Sequence, residues 1–272
     1  MRVLAINDIS CVGKCSLTVA QPIISACGVT CNVLPTALLS THTGGFEGYT
    51  FLDLTDNIPP TLAHWKTLGL KFDFIYSGYL GNAKQIELVL SIIDEFLAEN
   101  GKVIVDPVMG DSGKLYDGFT EDYVEEMRLL CKRADFILPN ATEACLLTNM
   151  PYPLNRENIK QTLAKLQELC SFPIVTGILE EQNICVYYTS EKGGLFSFVH
   201  ENVEGFFCGA GDVFASAFVG CLARGKTVAK SIYLASEFVT RAIRRSAKEV
   251  PDKKFGLNFE KEIFPFLLML NE

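Results

Sequence analysis

No run of 18 apolar residues occurs in the chain, so no membrane-spanning helix is expected. The opening stretch MRVLAINDIS reads as a strand and lacks the cleavage pattern of a secretory signal, which points to the cytoplasm. Positive charge is in short supply. With 24 Lys and Arg against 32 Asp and Glu the formal charge is −8, which speaks against nucleic acid or an anionic membrane as partner. The one basic cluster, Arg241, Arg244, Arg245 and Lys248, reads as a solvated helix face. Cys-x-x-Cys pairs are missing too. Cys11, Cys15, Cys27 and Cys31 form two Cys-x-x-x-Cys pairs, a spacing that does not suit a zinc knuckle. The remaining cysteines sit in apolar surroundings such as EACLL and VGCLA, as small buried hydrophobes of a reducing compartment do, so no disulfides are expected. Repeats, low-complexity tracts and Pro/Ser-rich linkers are absent, and residues 1–272 read as one domain.

What is present is a soluble composition, 49% hydrophobic and 21% charged, arranged as short apolar strands alternating with longer helical patterns. Strands are expected at 2–7, 29–35, 72–78, 102–107, 134–140 and 172–177, with helices at about 14–26, 210–224, 227–247 and 256–270. Strand, helix, strand at this rhythm gives a mostly parallel sheet covered on both faces, a three-layer α/β/α sandwich. Near 182–200 two strand-like runs flank a Glu-Lys-Gly turn and predict an antiparallel hairpin.

Ligands of open parallel sheets bind beyond the carboxyl ends of the strands, and there this sequence concentrates polar residues. Asn7, Asp8 and Ser10 follow the first strand, Asp106 and Asp111 follow VIVDP, Asn140 and Glu143 follow FILPN, and Thr176 follows PIV. Any one of these acids could be an ordinary helix cap. Several at one rim favour Mg²⁺, which binds carboxylates, waters and substrate phosphates.

The stretch FFCGAGDVFASAF raises a sharper question: one carboxylate, Asp212, stands behind two glycines at the mouth of an apolar helix. It is not a dinucleotide fingerprint, because Phe214 occupies the third small position. A phosphate loop is excluded as well, since Gly13-Lys14 has no glycine five residues before it and is followed by Cys15. A glycine turn opening a helix presents free N–H groups and a positive dipole end to an anion. A carboxylate there could take the proton of a hydroxyl that attacks a bound phosphate, or it could simply cap the helix.

CGAGDVFASAF resembles the C-terminal signature of the ribokinase superfamily. LSTHTGG (39–45), SGYLGN (77–82), VDPVMGDSGKLY (105–116) and LPNATEA (138–144) resemble, in order and spacing, the motifs of its pyridoxal (vitamin B6) kinases across nearly the whole chain. The resemblance implies a ribokinase-like fold and ATP-dependent phosphorylation of the 5′-hydroxymethyl group of a B6 vitamer. It further implies Asp212 as catalytic base, Gly209, Ala210 and Gly211 as anion hole, and Asp106, Asp111 and Glu143 around Mg²⁺, with K⁺ as a possible second cation. Asn140 and Thr176 fall near the nucleotide phosphates. Ser10, Thr43, Tyr79 and Cys208 fall around the vitamin, and a homodimer is expected. Ala210 departs from relatives with threonine there, which removes a side-chain hydroxyl but no backbone donor.

From the residues alone, Ser10 and Thr43 can hydrogen-bond a small heteroaromatic and Tyr79 can stack on it, but all three also suit turn or core positions. His42 could orient its loop, and GDSGKLYDG (110–118) could close as a lid. Two alternatives stay open: a hydroxymethylpyrimidine (phosphate) kinase, which shares the DPVM and GAGD motifs, and a non-catalytic binding protein of the same fold.

Overall fold

The computed structural model describes residues 1–190, 193–205, 207–250 and 252–272. The first half contains β1 (Arg2–Val12), α1 (Leu17–Ala26), β2 (Thr30–Thr41), β3 (Phe51–Asp53), α2 (Ile58–Thr67), β4 (Phe72–Ser77), α3 (Ala83–Phe96) and β5 (Leu97–Val105). There follow the short pair β6 (Gly110–Asp111) and β7 (Lys114–Leu115), then α4 (Glu121–Cys131), β8 (Phe136–Ile137), α5 (Ala141–Thr148) and α6 (Ile159–Leu166). The chain closes with β9 (Phe172–Glu180), β10 (Asn183–Thr189), β11 (Leu195–Glu201), α7 (Ala210–Ala223), α8 (Val228–Glu249) and α9 (Ile263–Asn271).

Nine strands form one sheet in the order β11-β10-β9-β8-β5-β4-β1-β2-β3. The six from β9 to β2 run parallel, while β10, β11 and β3 each lie antiparallel to a neighbour. Residues alternate between the two faces, as the pleat requires. Val3 and Ala5 of β1 join one core with α1, α7, α8 and α9, whereas Leu4 and Ile6 join another with α2 to α6. This is the expected three-layer sandwich with its hairpin. Glu191 and Lys192 of the expected hairpin turn lie outside the described residues.

Several boundaries moved, for physical reasons. β1 and β2 continue past residues 7 and 35, because their pairing resumes after a register break: Asn7 faces Pro35 but Ile9 faces Leu38. The polar residues Asn7, Asp8 and Ser10 therefore lie inside a strand and are buried. α1 begins at Leu17 rather than near Lys14, since Ser16 takes a left-handed φ of 53°. The last helix starts at Ile263 instead of 256: Gly256, with φ 88°, lies against the Lys14 backbone and breaks the run. The strand expected over 134–140 shrinks to Phe136–Ile137, with a bridge between Asn140 and Thr176. Of the basic cluster on α8, Arg244 makes an exposed pair with Glu201 at 2.8 Å, while Arg245 reaches the buried Glu262 at 2.7 Å, so that face is solvated only in part.

The chain order of the strands reverses at β1 and β4, and in such sheets the crevice opens at that point, beyond the carboxyl ends. α7 packs against α1 and α8 with ten of its 14 residues buried, which explains why it is apolar all round. Its N-terminus points into the crevice.

Candidate active site

A cavity of about 390 Å³ lies there, walled by the ends of β1, β4, β5 and β9, by the start of α5 and by the mouth of α7. On the α7 side Gly209 caps the helix with φ 77°, and a Cβ on it would collide with the carbonyl oxygen of Lys14. Only glycine fits. Gly211 differs: a Cβ there would meet nothing within 4 Å, because it would project into the cavity. The Val213 N–H already donates to the Gly209 carbonyl at 3.0 Å, so the N–H groups of Ala210, Gly211 and Asp212 are the ones left for an anion.

Asp212 stands half-buried in this first turn. Burial is the main reason its carboxyl is pushed up to about 6, with repulsion from Asp8 adding to it; the Ser16 backbone N–H and the Asn7 amide act in the opposite direction. A carboxylate with this proton affinity is ionised at neutral pH and still a competent base.

The opposite wall is acidic. Asp106 is buried just beyond β5, and burial together with Glu143 and Asp212 pushes its carboxyl well above the usual range. Glu143 and Asn140 form a capping box on α5: Asn140 Oδ1 accepts from the Glu143 N–H at 2.9 Å, and Glu143 Oε2 accepts from the Asn140 N–H at 2.9 Å. Glu143 Oε1 accepts from the Met109 N–H at 3.2 Å, which ties the α5 cap to the segment after β5. Burial raises its carboxyl to about 8 despite these donors. Asp111 lines the same cavity. Among the described residues no three His, Cys, Asp or Glu side chains converge into a ready-made metal cage. The donor set fits Mg²⁺ nonetheless, since this ion usually keeps waters and substrate phosphates beside one or two carboxylates.

Residues 110–118 carry the β6–β7 hairpin, in which Asp111 faces Lys114 across a turn with positive φ at Ser112 and Gly113. Asn140 Nδ2 donates to the Gly110 carbonyl at 2.9 Å and the Gly113 N–H to Thr142 Oγ1 at 2.9 Å, so the hairpin is fastened to the α5 cap. Thr176 lines the cavity beside Gly177.

The residues expected around the vitamin are split by the structure. Tyr79 and Cys208 line the cavity. Ser10 and Thr43 do not. Ser10 is fully buried and donates to Asp8 Oδ2 at 3.2 Å, while Asp8 Oδ1 accepts from Ser16 Oγ at 2.5 Å. Thr43 lies exposed on the loop after β2. His42 orients that loop: its Nδ1 accepts from the Gly44 N–H at 3.1 Å, which makes Nε2 the donor to the Lys254 carbonyl at 2.6 Å. Cys208 Sγ sits 3.4 Å from the same Nδ1, and burial followed by the charge of Asp212 pushes the thiol up to about 11.

Sequence reasoning missed the apolar end of the cavity, formed by Ile184 and Val186 of β10, His200 of β11, Phe207, and Val239 and Ile243 of α8. The alternation of Ile184 and Val186 was the available signal. It missed Tyr116 as well, beside the hairpin.

Residues 23–256 match the sequence family described as Phosphomethylpyrimidine kinase. The pyridoxine kinase of Bacillus subtilis is 30% identical over 200 residues, 71% of each chain. A crystal structure of a Bacteroides thetaiotaomicron protein described as a phosphomethylpyrimidine kinase, solved with pyridoxal, superposes with a TM-score of 0.92 at 34% identity, covering 100% of this chain and 96% of that one. Pyridoxal kinase from Lactobacillus plantarum gives 0.92 at 32% identity, covering 98% and 97%. The match spans about half the length of several other curated relatives, 56%, 48% and 49%. The family match over residues 23–256, together with a 30% identical pyridoxine kinase and superposable structures at 34% and 32% identity, places the protein in the phosphomethylpyrimidine kinase family of the ribokinase superfamily, beside its pyridoxal kinases.

Proposed function

We propose that residues 1–272 act as one kinase domain that transfers the γ-phosphoryl group of ATP to the 5′-hydroxymethyl group of a vitamin B6 vitamer. The observation that carries this is the placement of Asp212 beside the open N–H groups of the α7 mouth, in the same cavity as Tyr79 and the acidic wall. Asp212 takes the proton of the acceptor hydroxyl as it attacks. The backbone N–H groups of Ala210 and Gly211 hold the transferring oxygens, and no side chain at 211 obstructs their approach. Asp106, Asp111 and Glu143 would hold Mg²⁺, which supplies charge neutralisation at the phosphates. Asn140 and Thr176 belong beside the nucleotide, and K⁺ is the monovalent ion to test. The apolar end between β10 and α8 suits the adenine ring, and Tyr79 with Cys208 borders the vitamin.

The protein works in the cytoplasm as a homodimer in this account; the exposed Leu38, Tyr49, Phe51 and Leu52 around the β3 edge support a partner there. Sedimentation gives the mass directly.

The family description and a 29% identical hydroxymethylpyrimidine/phosphomethylpyrimidine kinase of Bacillus subtilis favour a second acceptor, hydroxymethylpyrimidine. ADP release on mixing the protein with ATP, Mg²⁺ and pyridoxal tests the activity. No release with any vitamer or pyrimidine would leave a binding protein.

A further inference from the structure

We infer that Asn7 is a positioning residue for Asp212: its side-chain amide holds the carboxylate in the orientation from which it takes the acceptor proton. This rests on the kinase activity proposed above. Asn7 ends the regular part of β1, at the register break opposite β2, and its side chain is fully buried yet borders the cavity. Its Oδ1 accepts two backbone N–H groups, from Tyr79 at 2.8 Å and from Asp8 at 3.0 Å. Both partners can only donate, so the amide has a single allowed orientation with Nδ2 pointing the other way. There stands Asp212 Oδ1, at 3.4 Å. Gly78 completes the seat, because a Cβ at that position would collide with the Asn7 amide.

The contact is long, as catalytic hydrogen bonds often are without substrate. The groups around Asp212 explain why a neutral donor stands at this place. Asp8 from β1, Asp106 from beyond β5, Tyr76 from β4, Cys15 ahead of α1 and Cys208 ahead of α7 all face it, and not one is a cation. A lysine here would pair with the base and weaken it; an amide fixes the carboxylate and leaves its charge available.

The test is a double-mutant cycle on the full chain. Asn7→Asp keeps the volume and both backbone contacts but replaces the donor with a second carboxylate. Its kcat should fall about 10²-fold, the scale of impaired general-base help, with KM for ATP and pyridoxal within about threefold of wild type. In an Asp212→Asn background the same change should cost nothing more. Unchanged kcat, a loss confined to KM, or an equal loss in both backgrounds would overturn the inference. If Asn7→Asp does not fold, Asn7→Ala removes the donor and is read by the same cycle. A wild-type protein that phosphorylates no vitamer would overturn the kinase proposal instead, and this inference with it.

Discussion

The α7 side of the cavity offers bare peptide N–H groups and one carboxylate, whereas the side running from Asp106 to Glu143 gathers three acids around a capping box. The first wall attracts a polyanion without help. The second repels one until a cation intervenes; burial above all, with neighbouring acids adding to it, raises the proton affinities of Asp106 and Glu143. In the proposed function a chain of net charge −8 would bind phosphate through geometry on one wall and through a borrowed cation on the other.

Asp212→Asn attacks the first wall at its only charge and should have the largest effect. Gly209 caps the helix and no side chain does, so the variant loses only a first-turn charge and stability changes by at most about 1 kcal/mol. Turnover should drop on the order of 10²–10⁴-fold while ATP and pyridoxal still bind. Steady-state kinetics beside a thermal melt separates the two; an unfolded variant would make the role structural.

Asp106→Asn and Glu143→Gln attack the second wall. Each should raise the Mg²⁺ concentration for half-maximal activity about tenfold, the cost of one charge-assisted contact of ~1.4 kcal/mol. Glu143→Gln should also loosen the α5 cap by about 1 kcal/mol, since its oxygens hold the Asn140 and Met109 N–H groups. Titrations that match wild type for both variants would remove these acids from the metal's surroundings.

Gly209→Ala and Gly211→Ala sharpen the contrast within the first wall. The former forces a Cβ onto the Lys14 carbonyl at a left-handed φ and should cost about 1–3 kcal/mol in a melt. The latter meets no protein atom and should melt near wild type while KM for ATP rises. Equal melting points would show that the Lys14 contact imposes nothing.

The smallest effect is in pH. Asp212 must be ionised to act, so kcat should fall as pH drops below about 6. Its proton is held more tightly in the folded chain than in the unfolded one, so its contribution to stability is greatest below the unfolded value near 3.8 and is lost as pH rises through about 6. A kcat profile flat down to pH 5 would contradict this assignment.

The sandwich, the hairpin and the glycine–aspartate turn were legible because each rests on local signals: strand rhythm, turn residues and a motif contiguous in the chain. Asp106, Asn140, Glu143 and Thr176 were legible from their places at strand ends. The role of Asn7 was not, since it depends on a register break against β2 and on Asp212, 205 positions away. Ser10 showed a hydroxyl in the right segment, but the continuation of β1 buries it, and its hydroxyl donates to Asp8. The apolar end stayed hidden because Ile184, Val239 and Ile243 look like ordinary core residues until α8 is seen packed over β10 and β11.

The most direct test is a panel of pyridoxal, pyridoxine, pyridoxamine and hydroxymethylpyrimidine at equal ATP and Mg²⁺, with the product's phosphate located by ³¹P–¹H correlation. A B6 vitamer phosphorylated at its 5′-hydroxymethyl group with the highest kcat/KM is the expected result. Hydroxymethylpyrimidine used at a far higher kcat/KM than every vitamer would contradict it.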